Sequence, residues 1–167
     1  MLEGTLHQLA CDACLELFAA YDTPITPISP LETNAAFYLC GIIGFTSERL
    51  AGALVLAASQ ATIERSNPLG PGSPRPWIAE LTNQLGGRFK RRLLGRGIEV
   101  WLSTPIVMRG NHLAPVPRLP SVAPEPSCAV AGADAVCVWV EADWAPGLTL
   151  DGEPLPIVGA ESEVMLF

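Results

Sequence analysis

Two residues in the middle of the chain have types and spacing that could do chemistry together. Glu80 and Asn83 stand three apart in the run Trp77-Ile-Ala-Glu80-Leu-Thr-Asn83-Gln-Leu-Gly-Gly87, which is one turn of a helix. A carboxylate pairs with a lysine or arginine of a partner. A primary amide donates and accepts hydrogen bonds at once, so it can hold a water molecule in place for attack. Taken alone, Glu-x-x-Asn is a common pair, and its ordinary reading is two solvent-facing polar residues. A second constellation is His7 with Cys11 and Cys14, whose C-x-x-C spacing suits a metal site or a redox pair. No second C-x-x-C and no paired histidine follows, since the other histidine, His112, stands alone. Packing of small residues on a helix is therefore the preferred reading of that set, and no metal ligand is assigned.

The helix that must carry Glu80 and Asn83 runs from Trp77 to about Leu94. It follows the turn-rich Asn67–Pro76 segment, has Pro76 where a first-turn proline is tolerated, and is stopped by Gly95 and Gly97. On a wheel of about 100° per residue, Ile78, Leu81, Leu85, Phe89 and Leu93 form one stripe within about 60° of Ile78. Asn83, Gly87 and Glu80 fall near 140°, 180° and 200°, opposite that stripe. A mid-helix glycine costs about 0.5–1 kcal/mol relative to alanine, and Gly86 adds a second such cost. A bare patch beside Glu80 and Asn83 makes sense where another macromolecule must approach the helix backbone. Five of the ten basic residues, Arg88, Lys90, Arg91, Arg92 and Arg96, cluster at this helix's C-terminal end. There they complement the helix dipole, and they are equally suited to an acidic partner surface.

The remaining elements follow from hydrophobic periodicity. Residues 5–20 form an amphipathic helix with Leu6, Leu9, Ala10, Ala13 and Leu17 on its buried face. Residues 23–30 hold three prolines and form an extended connection. Ala36–Phe45 and Leu50–Ala58 make a strand pair joined by a hairpin-length loop, and Ser59 caps a short helix to Arg65. Ile98–Ser103 is a strand, with Ile106–Met108 continuing it after Pro105. Residues 111–133, with five prolines, read as a long loop. Ala135–Ala142 is a strong strand, and Glu163–Phe167 offers a last short one. The four tryptophans, Trp77, Trp101, Trp139 and Trp144, are read as packing or snorkelling residues, and the alternation around Trp101 and Trp139 leaves a strand face for an interface. Together these describe one domain over residues 1–167, with a Pro-rich excursion at 111–133. Its class is α/β of the α+β type: a largely antiparallel sheet with two main helices packed on it.

Composition narrows the function classes. With 49% hydrophobic and 16% charged residues, the chain of 167 can build a core, which argues against intrinsic disorder. The formal charge of −7 disfavours nucleic acid. That charge is uneven. All ten basic residues lie at or before Arg118, and eight of the seventeen acidic residues lie after it. The helix with Glu80 is accordingly expected on the more basic side, away from Glu153, Glu161 and Glu163. The longest uncharged apolar stretch, Ala35–Phe45, falls short of the roughly 20 residues that span a bilayer. No membrane partner, no signal peptide and a cytoplasmic location are therefore expected. Five scattered cysteines fit reduced thiols better than a disulfide framework.

As a set, Glu80-Leu-Thr-Asn83-Gln-Leu-Gly-Gly87, the later Ser103-Thr-Pro105-Ile-Val-Met-Arg-Gly110, and the upstream Gly44-Phe45 and Gly52-Ala-Leu-Val-Leu56 resemble the CheX-like branch of the CheC/CheX/FliY phosphatases. The resemblance covers roughly residues 36–142, and it finds one such helix, as in CheX. It implies a CheX/CheC-like fold and an insertion of the helix into the active site of a phosphorylated CheY-like receiver domain. Asn83 would hold the attacking water in line with the partner's aspartyl phosphate. Glu80 would pair with the partner's active-site lysine, and Gln84, Gly87, Lys90 and Arg91 would contact the partner. Mg²⁺ would belong to the receiver and no cofactor to this chain. A homodimer is implied as well. The alternative within the same resemblance is a non-catalytic dimeric module that docks a receiver through the same helix.

Overall fold

Apolar residues at helical spacing near the N-terminus and in the middle of the chain need one common surface to cover, and an antiparallel sheet supplies it. A computed structural model of the chain describes residues 2–28, 37–70, 72–113, 127–131 and 134–150. Helix α1 (Leu2–Ala19) is followed by strand β1 (Thr26–Ile28), the hairpin β2 (Phe37–Thr46) and β3 (Leu50–Ala58), and then helices α2 (Gln60–Ser66) and α3 (Pro74–Leu94). Strands β4 (Trp101–Leu102), β5 (Ile106–Leu113), β6 (Ser127–Ala131) and β7 (Asp134–Trp144) complete the described order. Every strand pairing is antiparallel, in the order β1-β6-β7-β3-β2, and the free side of β2 is shared by β4 and β5. The expected α+β class and antiparallel sheet are therefore what the chain folds into, with α2 as a short third helix.

Successive strand residues face opposite sides of a sheet, and the core divides accordingly. Leu39, Ile43 and Phe45 of β2, Leu54 and Leu56 of β3, and Val136, Val138 and Val140 of β7 face the helices. There they meet Leu6, Leu9, Ala13, Leu17 and Phe18 of α1, and Ile78, Leu81, Leu85, Phe89 and Leu93 of α3. All five residues of the expected α3 stripe are fully buried, each contributing about 1.5–3 kcal/mol of apolar burial. Phe89 also packs on Phe45 with ring centroids 5.3 Å apart. The opposite face carries a smaller cluster of Phe37, Cys40, Val55, Ala57, Ala135 and Cys137.

Two glycines set how closely α3 approaches β2. A Cβ on Gly41 would run into the Thr82 side chain, and one on Gly86 would lie 2.9 Å from Ile43 Cδ1 and 3.3 Å from Leu102 Cδ1. Thr82 is fully buried over this contact, and its hydroxyl donates to the Ile78 carbonyl at 2.6 Å.

Several elements differ from the sequence expectation. Helix α3 begins at Pro74, because the first-turn N–H groups have no intrahelical acceptor and both Pro74 and Pro76 are tolerated there. Its stop is at the expected glycines: Gly95 is the C-cap, still right-handed at φ −61°, and Gly97 turns the chain at φ 79°. Only Trp101 and Leu102 of the expected Ile98–Ser103 strand are in the sheet. Trp101 pairs with Thr46, the last residue of β2, so residues before it have no neighbouring strand. After the break at Ser103–Pro105, β5 continues along β2 as far as Leu113. Ser103 bridges that break: its N–H donates to the Gly44 carbonyl, and its Oγ accepts from the Gly44 N–H, both at 2.9 Å.

Of the expected loop at 111–133, residues 114–126 and 132–133 lie outside the described residues, and the rest is strand. Part of it belongs to β5, and Ser127–Ala131 is a strand between β1 and β7. Pairing on both sides overrides the weak local pattern. Likewise the connection at 23–30 contains β1, and Pro27 is tolerated there because β1 is an edge strand. The expected strand Glu163–Phe167 lies outside the described residues, as do Glu153, Glu161 and Glu163.

Candidate functional site

Helix α3 buries its apolar stripe and turns the opposite side to solvent. Glu80 and Asn83 are both exposed there. Gly87 follows one turn later, and a Cβ built on it would meet nothing within 4 Å. Gly86 differs from its neighbour: it is buried, and its missing side chain makes room for Ile43 and Leu102. The two adjacent glycines thus have separate causes, one from packing and one on the open face.

The polar side chains on this face are held to different degrees. Glu80 accepts a hydrogen bond from Gln84 Nε2 at 2.7 Å through Oε1. Gln84 in turn meets Tyr21, whose hydroxyl lies 2.9 Å from Oε1 and 2.7 Å from Nε2 of the amide. Turning the amide over would set its oxygen against the Glu80 carboxylate, so the arrangement with nitrogen toward Glu80 is the favourable one. Asn83 makes no side-chain hydrogen bond among the described residues, and its amide is free to bind a water or a partner group.

The basic end of the helix is divided in use. Arg92 pairs with Glu16 of α1 at 2.5 Å and with Asp12 at 3.7 Å, tying the two long helices together. Arg96 donates to the Leu150 carbonyl at 3.1 Å. Lys90 and Arg91 make no ion pair among the described residues. Arg91 is exposed and Lys90 half-buried, so both positive charges remain open to an acidic surface.

The expected site residues are therefore partly brought together. Glu80, Asn83 and Gly87 share one open face, with Arg91 further along it. Gln84, expected as a partner contact, hydrogen-bonds Tyr21 and Glu80 through its amide. Tyr21 was not foreseen. It lies 63 positions from Gln84, and only the fold joins them. The Glu80–Gln84 half of the link has the four-residue spacing of a helical side-chain pair and could have been read from sequence.

The second constellation does not assemble. His7 Nε2 is 2.9 Å from the Val140 carbonyl oxygen. Cys14 is buried, and burial, followed by the neighbouring Cys11, raises its thiol pKa well above the ordinary range. A protonated buried thiol is a poor ligand or nucleophile. Among the described residues no group of three or more His, Cys, Asp or Glu side chains could hold a metal ion. Trp77 packs as expected, edge-on to Tyr21 at 4.9 Å, with its Nε1 donating to Ser66 Oγ at 3.0 Å, whereas Trp101 and Trp144 are exposed. No helix among the described residues is long and apolar enough to cross a membrane.

An exposed helix face does not enclose a small substrate. The face that carries Glu80 and Asn83 is open to a second macromolecule. The chain superposes on the chemotaxis protein CheX from Vibrio vulnificus with a TM-score of 0.69, at 14% identity over 81% of this chain and 95% of that one. A chemotactic CheC-like protein from Shewanella oneidensis gives 0.64 at 17% identity, over 81% and 96%. A CheC-like superfamily protein from Shewanella sp. PV-4 gives 0.60 at 18% identity, over 81% and 97%. No protein-family model and no curated protein matches the sequence. The chain has the CheX/CheC fold, as its sequence motifs led one to expect.

Proposed function

We propose that this protein is a CheX-like phosphatase that hydrolyses the aspartyl phosphate of a CheY-like receiver domain. The observation that carries the proposal is the joint exposure of Glu80 and Asn83 on the solvent face of α3, with open space over Gly87, in a chain of CheX/CheC fold. The helix enters the receiver's active site with Gly87 at the closest approach. Asn83 orients a water in line with the phosphorus. The water oxygen bonds to phosphorus as the bond to the aspartate oxygen breaks, the aspartate leaves as a carboxylate, and inorganic phosphate departs. Glu80 pairs with a lysine of the receiver and fixes the docking angle. Mg²⁺ would be held by the receiver, where it would supply charge neutralisation of the phosphoryl group. Positioning and charge stabilisation are the main needs of phosphoryl transfer, so an amide without nucleophilic character suffices. Lys90 and Arg91 steer the helix toward the acidic receiver. A homodimer accompanies this reading. The β4–β5 edge supports it with exposed Trp101, Ile106 and Met108 on strands whose outer side has no partner strand among the described residues.

The test is the lifetime of phosphate on receiver domains from the same genome. Wild type is expected to shorten it. Asn83→Ala is expected to lower the catalysed rate by about 100-fold, and Glu80→Ala to act mainly by weakening binding. Retention of full activity by Asn83→Ala removes the proposed role of that amide. Binding to a receiver with no change in phosphate lifetime turns the reading to a non-catalytic docking module.

A further inference from the structure

Glu80 is exposed, and a free glutamate on a helix surface samples several rotamers, which costs binding energy when a partner must select one. Here it is tied down by a run of contacts that begins in the core. Ser66 is fully buried and its hydroxyl donates to the Ile63 carbonyl at 3.2 Å. The same oxygen accepts from Trp77 Nε1, and the Trp77 ring meets Tyr21 at 89°. Tyr21 itself is set by the turn that ends α1, where Asp22 takes φ 52° and the buried Thr23 donates its hydroxyl to the Tyr21 carbonyl at 3.0 Å. The Tyr21 hydroxyl then fixes the Gln84 amide, and the amide donates to Glu80 Oε1. Asn83, three residues away on the same face, has no such support.

We propose that Tyr21 and Gln84 are positioning residues that pre-set the Glu80 carboxylate for a cationic group of the docking partner, while Asn83 is left mobile to take up its water. The proposal rests on the reading of α3 as a receiver-docking helix. A hydrogen bond to a carboxylate is a strong one, and fixing one oxygen leaves the other to meet the partner. The division also fits the two roles: an ion pair gains from a preset angle, and a water-holding amide gains from freedom to adjust to the bound phosphate.

The test uses the full chain and two readouts. In side-chain ¹⁵N relaxation of the free protein, the Gln84 amide is expected to be restricted and the Asn83 amide mobile, with Tyr21→Phe freeing Gln84. A Gln84 amide as mobile as that of Asn83 in the wild type overturns the proposal, whatever the activity. In receiver dephosphorylation, Tyr21→Phe is expected to lower kcat/KM by about fivefold, the scale of one net hydrogen bond, with the loss in KM. Gln84→Met, which keeps the side-chain length without the amide, is expected to match it. Neither change is expected to cost anything further in a Glu80→Ala background. An equal loss in that background shows that Tyr21 and Gln84 act on the fold and not through Glu80, and it overturns the proposal. If no receiver is dephosphorylated, the proposed function fails, and the amide relaxation still decides whether Glu80 is preset.

Discussion

Adjacent glycines on α3 are expected to respond to the same substitution with opposite sign. Gly87→Ala adds a methyl group where nothing lies within 4 Å. The structure accepts it without strain, and the helix gains the usual alanine advantage of about 0.5–1 kcal/mol. For a domain of this size that raises Tm by about 1–4 °C. Gly86→Ala gains the same propensity, but its Cβ meets Ile43 Cδ1 at 2.9 Å, Ile43 Cγ2 at 3.3 Å and Leu102 Cδ1 at 3.3 Å. Ile43 is fully buried, so its displacement costs about 1–3 kcal/mol of overpacking. The net for Gly86→Ala is a loss of up to about 2 kcal/mol. Thermal and urea denaturation of the two variants measure both signs. Receiver dephosphorylation supplies the third value. Gly87→Ala is expected to lose activity while gaining stability, because the methyl occupies the closest approach of the partner. A Gly87→Ala variant that is more stable and fully active refutes the assignment of the bare patch to docking. One that is less stable refutes the view that the position is open.

Three further outcomes follow from contacts away from that face. Gly41→Ala is expected to cost more than Gly86→Ala, about 3 kcal/mol or above, because the new Cβ collides with Thr82 on a helix held against the sheet; urea denaturation measures it. Arg92→Met is expected to cost about 0.5–1.5 kcal/mol through its pairs with Asp12 and Glu16, with a smaller cost in high salt. Burial pushes the Cys40 thiol up to about 11, so the unfolded chain releases this proton first. Its contribution is intact below about pH 9 and is lost as pH rises toward 11; a pH series of denaturation midpoints should show a shallower alkaline decline for Cys40→Ala.

The legible part of the fold was the part whose pattern is local. The stripe Ile78, Leu81, Leu85, Phe89 and Leu93 is complete in sequence because helical period alone decides which face is buried. Strands β2 and β3 were legible for a related reason: two apolar runs separated by a hairpin-length gap have one simple way to pair. Ser127–Ala131 was not legible. Five residues among prolines and glycine carry too little period to distinguish a strand from a loop, and the strand exists because β1 and β7 offer ladders on both sides. Pro27 misled in the same manner. It argues against a central strand, yet β1 is an edge, where the missing N–H has no ladder partner to satisfy.

The site was legible to the extent that it lies on one helix. The positions of Glu80, Asn83 and Gly87 follow from 100° per residue, and each faces solvent as that angle requires. What the period could not show is the difference among polar residues on neighbouring lines of the same helix. Gln84 and Asn83 are adjacent amides, alike in any composition or charge count. Tyr21, arriving from the end of α1, engages one and leaves the other open. The basic cluster divides by the same cause: α1 brings Asp12 and Glu16 to Arg92 and leaves Arg91 exposed. Packing α1 beside α3 thus converts an apparently uniform polar face into a fixed flank and a free one. In the proposed docking of α3, the fixed flank sets the angle of approach and the free side meets the partner.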